Sequence, residues 1–205
     1  MASLPPSSPR PWDYNPSSWS QRLRIAAIAM IAVVIALYLG FYQWRLIPTV
    51  WDPIFGDGTK NVLDSEVSHQ ITGWIRLPDA ILGVFAYVSD IVFALAGSER
   101  RWQDRPWLVI LFGIDVIPLG IVSIILVVLQ GIAVKFWCFL CLITALVSLI
   151  LIVLAYDEVI SSCIYLIEIK KRGSWKTLWL AFWGYPSLVA LEAGEATLQK
   201  RKRKK

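Results

Sequence analysis

A nearly unbroken apolar stretch of 18 residues, Ile25 to Tyr42, stands directly behind Arg22 and Arg24. A helix that crosses a bilayer needs roughly 20 such residues, because the hydrocarbon core is about 30 Å thick. A secretory signal has a shorter apolar core, about 7–15 residues, followed by a small-residue cleavage site. No clear site of that kind follows Tyr42, so the stretch reads as a retained first span. Three further runs have the same character: Pro78 to Leu95, Trp107 to Leu129 and Trp137 to Ala155. Residues 175–191 are apolar too, but Gly184 and Pro186 break them and four aromatics crowd Trp175 to Trp183. That aromatic content suits a segment lying at the headgroup level better than another span. The expectation is four spans, with five as the alternative.

Composition supports a lipid environment. Residues of the set AVILMFWYC make up 57% of the 205-residue chain and charged residues only 17%. An ordinary soluble domain has roughly 45–50% apolar residues even with Gly counted, and about 25% charged. One soluble core of this size could not hide the excess. A disordered chain, a disulfide-stapled secreted scaffold and most soluble enzymes are excluded. The single histidine, His69, makes a His-ligated metal site or His-based catalysis a poor expectation. Residues 1–21 are rich in Pro and Ser and read as a flexible tail. The expected organisation is this tail, a membrane domain over 22–165, and an aromatic interfacial segment with a basic tail over 166–205.

The net charge of +5 is unevenly placed. Arg10, Arg22 and Arg24 precede the first span; Arg100, Arg101 and Arg105 lie between the second and third. Lys170, Lys171, Arg172, Lys176 and the terminal KRKRKK follow the fourth. The other two loops are poor in Lys and Arg, with Lys135 alone between the third and fourth spans. With four spans every basic cluster falls on one side, which puts both termini in the cytoplasm or stroma by the positive-inside rule. The basic runs then read as an inner membrane face and a solvated or lipid-phosphate-binding tail. Nucleic acid is not the expected partner; membrane lipid is.

Two of the three cysteines, Cys138 and Cys141, form FWCFLC at the outer-side start of the fourth span. Three residues apart on a helix, two thiols share a face and can close a short disulfide if the first turn relaxes. The helix N-terminus favours a thiolate. Phe136 and Trp137 offer flat apolar surface suited to an aromatic ring, and equally read as interfacial anchors. Two cysteines in an apolar span also read as small hydrophobes. Redox chemistry is preferred because disulfides persist on the non-cytoplasmic side. Zinc would need two more ligands, and His69 alone does not supply them. Cys163 lies 22 residues beyond Cys141, over about 30 Å along a helix, and reads as structural.

With WCFLCLITALVSL at the head of the last span, Pro78, Leu82 and Gly83 leading the second, and four spans, residues 22–165 resemble the vitamin K epoxide reductase family. The stretch VWDPIFGDGTKNVLDSEVS resembles the outer loop of its bacterial-type branch. The resemblance implies an all-α, integral membrane four-helix bundle around a quinone. It implies that the C-x-x-C of Cys138 and Cys141 exchanges electrons with that quinone, and that a thioredoxin-like thiol protein on the outer side is the partner. It also implies a Ser or Thr before the second span, for which Ser68 (or Ser65) stands closest. The family's second cysteine pair, in the first outer loop, has no counterpart: no cysteine lies between Phe41 and Pro78. Either a partner's thiols attack the C-x-x-C directly, or the chain is a non-catalytic subunit or scaffold with a vestigial C-x-x-C.

The outer loop carries a turn signal at Asp57-Gly58-Thr59, then Val62, Leu63, Val67, Ile71 and Trp74 at helical spacing. These predict a short amphipathic helix, either over the bundle mouth or anchored in the interface. Asp90 and Asp115 are acids within spans at similar depth, which makes them functional suspects. If they face each other they are expected to share a proton, and then to tie two helices together or to pass protons towards a quinone. A small transporter is the third function class, favoured by these acids but by no internal repeat. Asp157 and Glu158 are expected to be solvated at the inner end of the fourth span.

Overall fold

The computed structural model describes residues 14–68, 73 and 77–203. Among them every regular element is helical: α1 (Trp19–Gln43), α2 (Gly58–Leu63), α3 (Asp79–Leu95), α4 (Arg101–Asp104), α5 (Pro106–Leu129), α6 (Phe139–Arg172), α7 (Trp175–Phe182) and α8 (Leu188–Lys202). A π-helical turn, Gln130–Val134, continues α5. Among the described residues three helices are long and apolar enough to cross a membrane: Trp19–Gln43, Pro106–Val134 and Phe139–Arg172. The second apolar run forms α3, whose 17 residues make a shorter helix of about 25 Å. The predicted run 175–191 contains no single long helix. α7 has 8 residues, far short of a span, and ends before Gly184.

The fourth apolar run ends at Ala155, but its helix does not. α6 runs 34 residues to Arg172 because no Gly or Pro interrupts it before Gly173. Val62 and Leu63 fall in α2. Ile71, Trp74 and His69 lie outside the described residues.

The chain divides into two compact units. The first comprises Ser20–Ala96 and Leu111–Tyr156. Along α1, Ala29, Ala32, Ala36 and Gly40 form a buried stripe of small residues, and a Cβ at Gly40 would overlap the Ile81 side chain. Such stripes let helices approach closely in lipid, where dispersion replaces the hydrophobic effect as the driving force. Arg22, counted from the sequence as a charge on the inner face, is fully buried. Its guanidinium donates to the carbonyls of Ala94, Leu95 and Ala96 at 2.7, 2.6 and 2.9 Å, satisfying carbonyls that the end of α3 leaves open. A cluster of Leu39, Tyr42, Val62, Leu63, Cys138 and Leu140 forms the core around the cysteines.

The second unit comprises Gly97–Ile110, Asp157–Lys205 and the described part of Met1–Trp19. Glu158 is not solvated here: it is 1% exposed and grips Arg101 through two bonds of 2.6 Å. Ser17 Oγ donates to the same carboxylate at 2.5 Å. Asp157 accepts from Tyr14 Oη at 2.8 Å and from Arg201. Sequence reading missed both because the partners lie 44 to 143 residues away. Residues assigned to a flexible tail are therefore held in place from Tyr14 onward, and Asn15 also donates to the Glu99 carbonyl at 2.9 Å. The basic end is partly paired too, Lys200 with Glu168 and Arg201 with Asp157. Gly184 has φ +89°, and a Cβ there would stand 2.0 Å from the Asp104 carbonyl oxygen, so only glycine fits.

Candidate functional site

Cys138 is the last residue before α6, and its sulfur is bonded to that of Cys141 with the Cα atoms 5.2 Å apart. The approach to this pair is set by the π-helical turn and then by Lys135, whose left-handed φ of 60° reverses the chain. Gln130, 5% exposed in that turn, accepts the Cys138 N–H on Oε1 at 3.1 Å. The Cys141 N–H points at Cys138 Sγ, 3.1 Å away. One first-turn N–H of α6, that of Cys141, is thus directed towards the leading cysteine.

Cys138 has no exposed surface. The loop of residues 51–59 sits against the residues that flank it. Trp51 meets the Phe139 ring edge-on at 6.1 Å, and Gly58 lies so close to the Trp137 carbonyl that a Cβ would come within 2.3 Å. Asp52 organises the loop. Its Oδ1 accepts from the N–H groups of Ile54 (3.1 Å) and Phe55 (2.8 Å). Its Oδ2 accepts from the Thr59 N–H (3.1 Å), the Thr59 hydroxyl (2.6 Å) and the Phe139 N–H (3.5 Å). Partial burial opposes ionisation of Asp52. The Thr59 hydroxyl and the N–H groups of Phe55, Ile54 and Phe139 outweigh it and hold the carboxyl below its ordinary value.

Beside the cysteines lies a mostly apolar cavity of about 520 Å³. Cys141 lines it and Cys138 does not. Besides Gln130, polar groups enter its wall at three places. Ser68 and Asp79 line it together: Gln43 donates to Ser68 Oγ at 3.0 Å and to Asp79, and Ser68 donates to Asp79 at 3.4 Å. Tyr87 Oη meets Ser148 Oγ at 2.7 Å and the Thr144 carbonyl at 3.0 Å, and Ser123 donates to Ser148 at 3.1 Å. At the third place Asp115 accepts from Ser89.

Asp90 and Asp115 were expected to share a proton, and they do not share a hydrogen bond. Among the described residues both Asp90 oxygens are buried without a hydrogen-bond partner, and Ser89, the residue before it, links α3 to α5. Phe136 and Trp137 are half-exposed and absent from the cavity wall; the Trp137 indole lies over Gly131 instead. Of the sequence-derived site residues, the cavity brings together Cys141 and Ser68, with Ser65 beside them. Gln43, Gln130 and Asp52 were missed. Only Asp52 left a signal, an Asp-Pro pair opening a turn. Among the described residues no group of three His, Cys, Asp or Glu side chains could hold a metal ion.

A helical chain with membrane-length apolar helices, a bonded C-x-x-C and an apolar cavity at one cysteine has the features of a membrane thiol–disulfide protein. The chain belongs to the vitamin K epoxide reductase family, whose model matches residues 23–156. Members of that family are in general membrane thiol–quinone oxidoreductases. No curated protein and no solved structure matches the chain.

Proposed function

We propose that this protein exchanges electrons between protein thiols and a membrane quinone through Cys138 and Cys141. One observation carries the reading: the cavity-lining member of the bonded pair, Cys141, borders about 520 Å³ of mostly apolar space. That space has the size and polarity of a site for an apolar ring compound, and the polar group formed by Ser68, Asp79 and Gln43 offers it donors and acceptors. A bound quinone supplies an acceptor for two electrons and two protons. Cys141 is the thiol that meets it, and Cys138 the sulfur that a partner thiolate attacks through a mixed disulfide. Reduction of the pair breaks its S–S bond and oxidises two partner thiols to a disulfide; reoxidation restores the bond. The reverse direction uses the same residues. Ser68 is proposed to orient the ring. Phe136 and Trp137 are proposed to flank its entry, not its seat.

The same reading makes α1, α3, α5 and α6 a four-helix bundle around the cavity. Both termini then face the cytoplasm or stroma and the C-x-x-C lies near the outer face. The loop after α1 lies over the bundle, and the partner is a thioredoxin-like protein on the outer side.

A second reading is a non-catalytic subunit or scaffold. It is favoured by a loop without cysteines and by the complete burial of Cys138.

Mass-tagging of free thiols in purified protein separates the two. Pre-reduced wild type should lose its Cys138 and Cys141 thiols on addition of a short-chain quinone, and Cys138→Ala should keep the Cys141 thiol free. If the thiols survive quinone and no partner mixed disulfide can be trapped, the electron-transfer reading fails.

A further inference from the structure

The loop without cysteines places a fixed charge where the redox pair is most sensitive to it. Its seat on the head of α6 rests on three contacts described above: Trp51 on the Phe139 ring, Gly58 under the Trp137 carbonyl, and Asp52 Oδ2 facing the Phe139 N–H. Phe139 follows Cys138 directly. The first-turn N–H groups and the positive end of the helix are also what stabilise a Cys138 thiolate once the disulfide is opened, and the Cys141 N–H already points at that sulfur. A carboxylate held at the same helix end competes for that positive field and repels the thiolate. The five hydrogen bonds into Asp52 keep it ionised and fixed.

We propose that Asp52 is a positioning residue that sets the redox poise of the Cys138–Cys141 pair by holding a negative charge at the N-terminus of α6. The proposal rests on the redox reading above. The charge disfavours the reduced, thiolate-bearing form relative to the disulfide. The reduced pair therefore passes its electrons on more readily, and an unladen disulfide is harder to reduce. In a chain without the loop cysteines, the loop's contribution to the chemistry is this charge.

The test equilibrates full-length protein in detergent with dithiothreitol buffers. Each dithiothreitol gives two electrons and two protons as its own ring disulfide forms and the Cys138–Cys141 bond opens, and free thiols are counted by mass-tagging. Asp52→Asn keeps an oxygen for the Ile54 and Phe55 N–H groups and removes the charge. It should raise the ratio of reduced to oxidised protein about tenfold at a fixed buffer, a shift of about 30 mV towards easier reduction. Asp52→Glu should return the ratio to within about twofold of wild type, because charge and not shape is at issue. Thr59→Ala loosens the same loop but leaves the carboxylate. It should speed alkylation of Cys138 in reduced protein and leave the ratio within about twofold of wild type.

An unchanged ratio in Asp52→Asn overturns the proposal. So does a Thr59→Ala shift as large as that of Asp52→Asn, which would make loop packing the cause. Should Asp52→Asn fail to fold, Asp52→Ser, whose hydroxyl can also cap the turn, carries the same expectations. The titration needs neither quinone nor partner. A pair that titrates with the expected shifts but loses nothing to a short-chain quinone refutes the proposed function alone. A pair that turns over quinone without an Asp52→Asn shift refutes the tuning alone.

Discussion

The backbone N–H of Cys138 donates to the side-chain oxygen of Gln130 at 3.1 Å, so an amide at the end of α5 anchors the residue that opens the C-x-x-C. Both groups are buried, and replacing the acceptor leaves the N–H unpaired away from water. Gln130→Leu should cost about 1–3 kcal/mol of stability and expose Cys138 to alkylation after reduction. Thermal unfolding in detergent and the labelling rate of Cys138 check the two effects.

If the cavity beside Cys141 holds the quinone, filling it should block the reaction and spare the thiols. Gly83 lines the cavity, and a Cβ there meets only ordinary contacts at 3.8 and 3.9 Å. Gly83→Leu should lower the rate of thiol oxidation by a limiting quinone about tenfold, the loss of roughly 1.4 kcal/mol of binding. Its dithiothreitol titration should match wild type. Equal rates in both proteins would place the quinone elsewhere.

In the second unit, the Arg101–Glu158 pair is closed to water on both sides, with side chains 0% and 2% exposed. Arg101→Met strands the carboxylate together with the Ser17 hydroxyl that donates to it. The expected loss is about 3–5 kcal/mol, and much of it should return in the double variant Arg101→Met with Glu158→Leu. A double-mutant cycle on melting temperature measures the coupling.

Gly184→Ala combines a left-handed backbone with a clash against the Asp104 carbonyl. A destabilisation of at least about 1–3 kcal/mol is expected, read as loss of protection of residues 175–190 in hydrogen exchange.

The loop seat should also respond to acid. Because the folded-state pKa of Asp52 is depressed, its contribution is fully present above the unfolded value, near 3.9, and is lost as pH falls through the folded one. The melting-temperature gap between wild type and Asp52→Asn should therefore be constant from about pH 8 to 5 and close below about pH 4. A gap that persists at lower pH would show that ionisation of Asp52 does not stabilise the loop.

The helices and the cysteine pair were legible in the sequence because both are local signals: apolar runs of fixed length, and two thiols three residues apart. What the sequence concealed is long-range or sterically fixed. Gln43 reaches Ser68 and Asp79 across 25 and 36 residues, and Asp52 reaches Phe139 across 87. The acids at 157 and 158 looked solvated because their neighbours in sequence offer no cation, whereas Arg101 and Arg201 arrive from elsewhere. Conversely, charge counting overstated Arg22 and Arg101, whose guanidinium groups are consumed inside the protein. The length of α6 was underestimated because polarity was read as an end, when only Gly173 supplies one.

If Cys138 is the sulfur that a donor attacks, its lack of exposed area makes admission a condition of the exchange alongside reactivity. A small reductant finds no surface on that sulfur and meets the pair at the partly exposed Cys141 instead. A macromolecule with enough binding surface to displace Trp51 and Gly58 could reach Cys138. Macromolecular donors would then be sorted by how readily each opens that segment, while the potentials of donor and pair set how far the exchange runs.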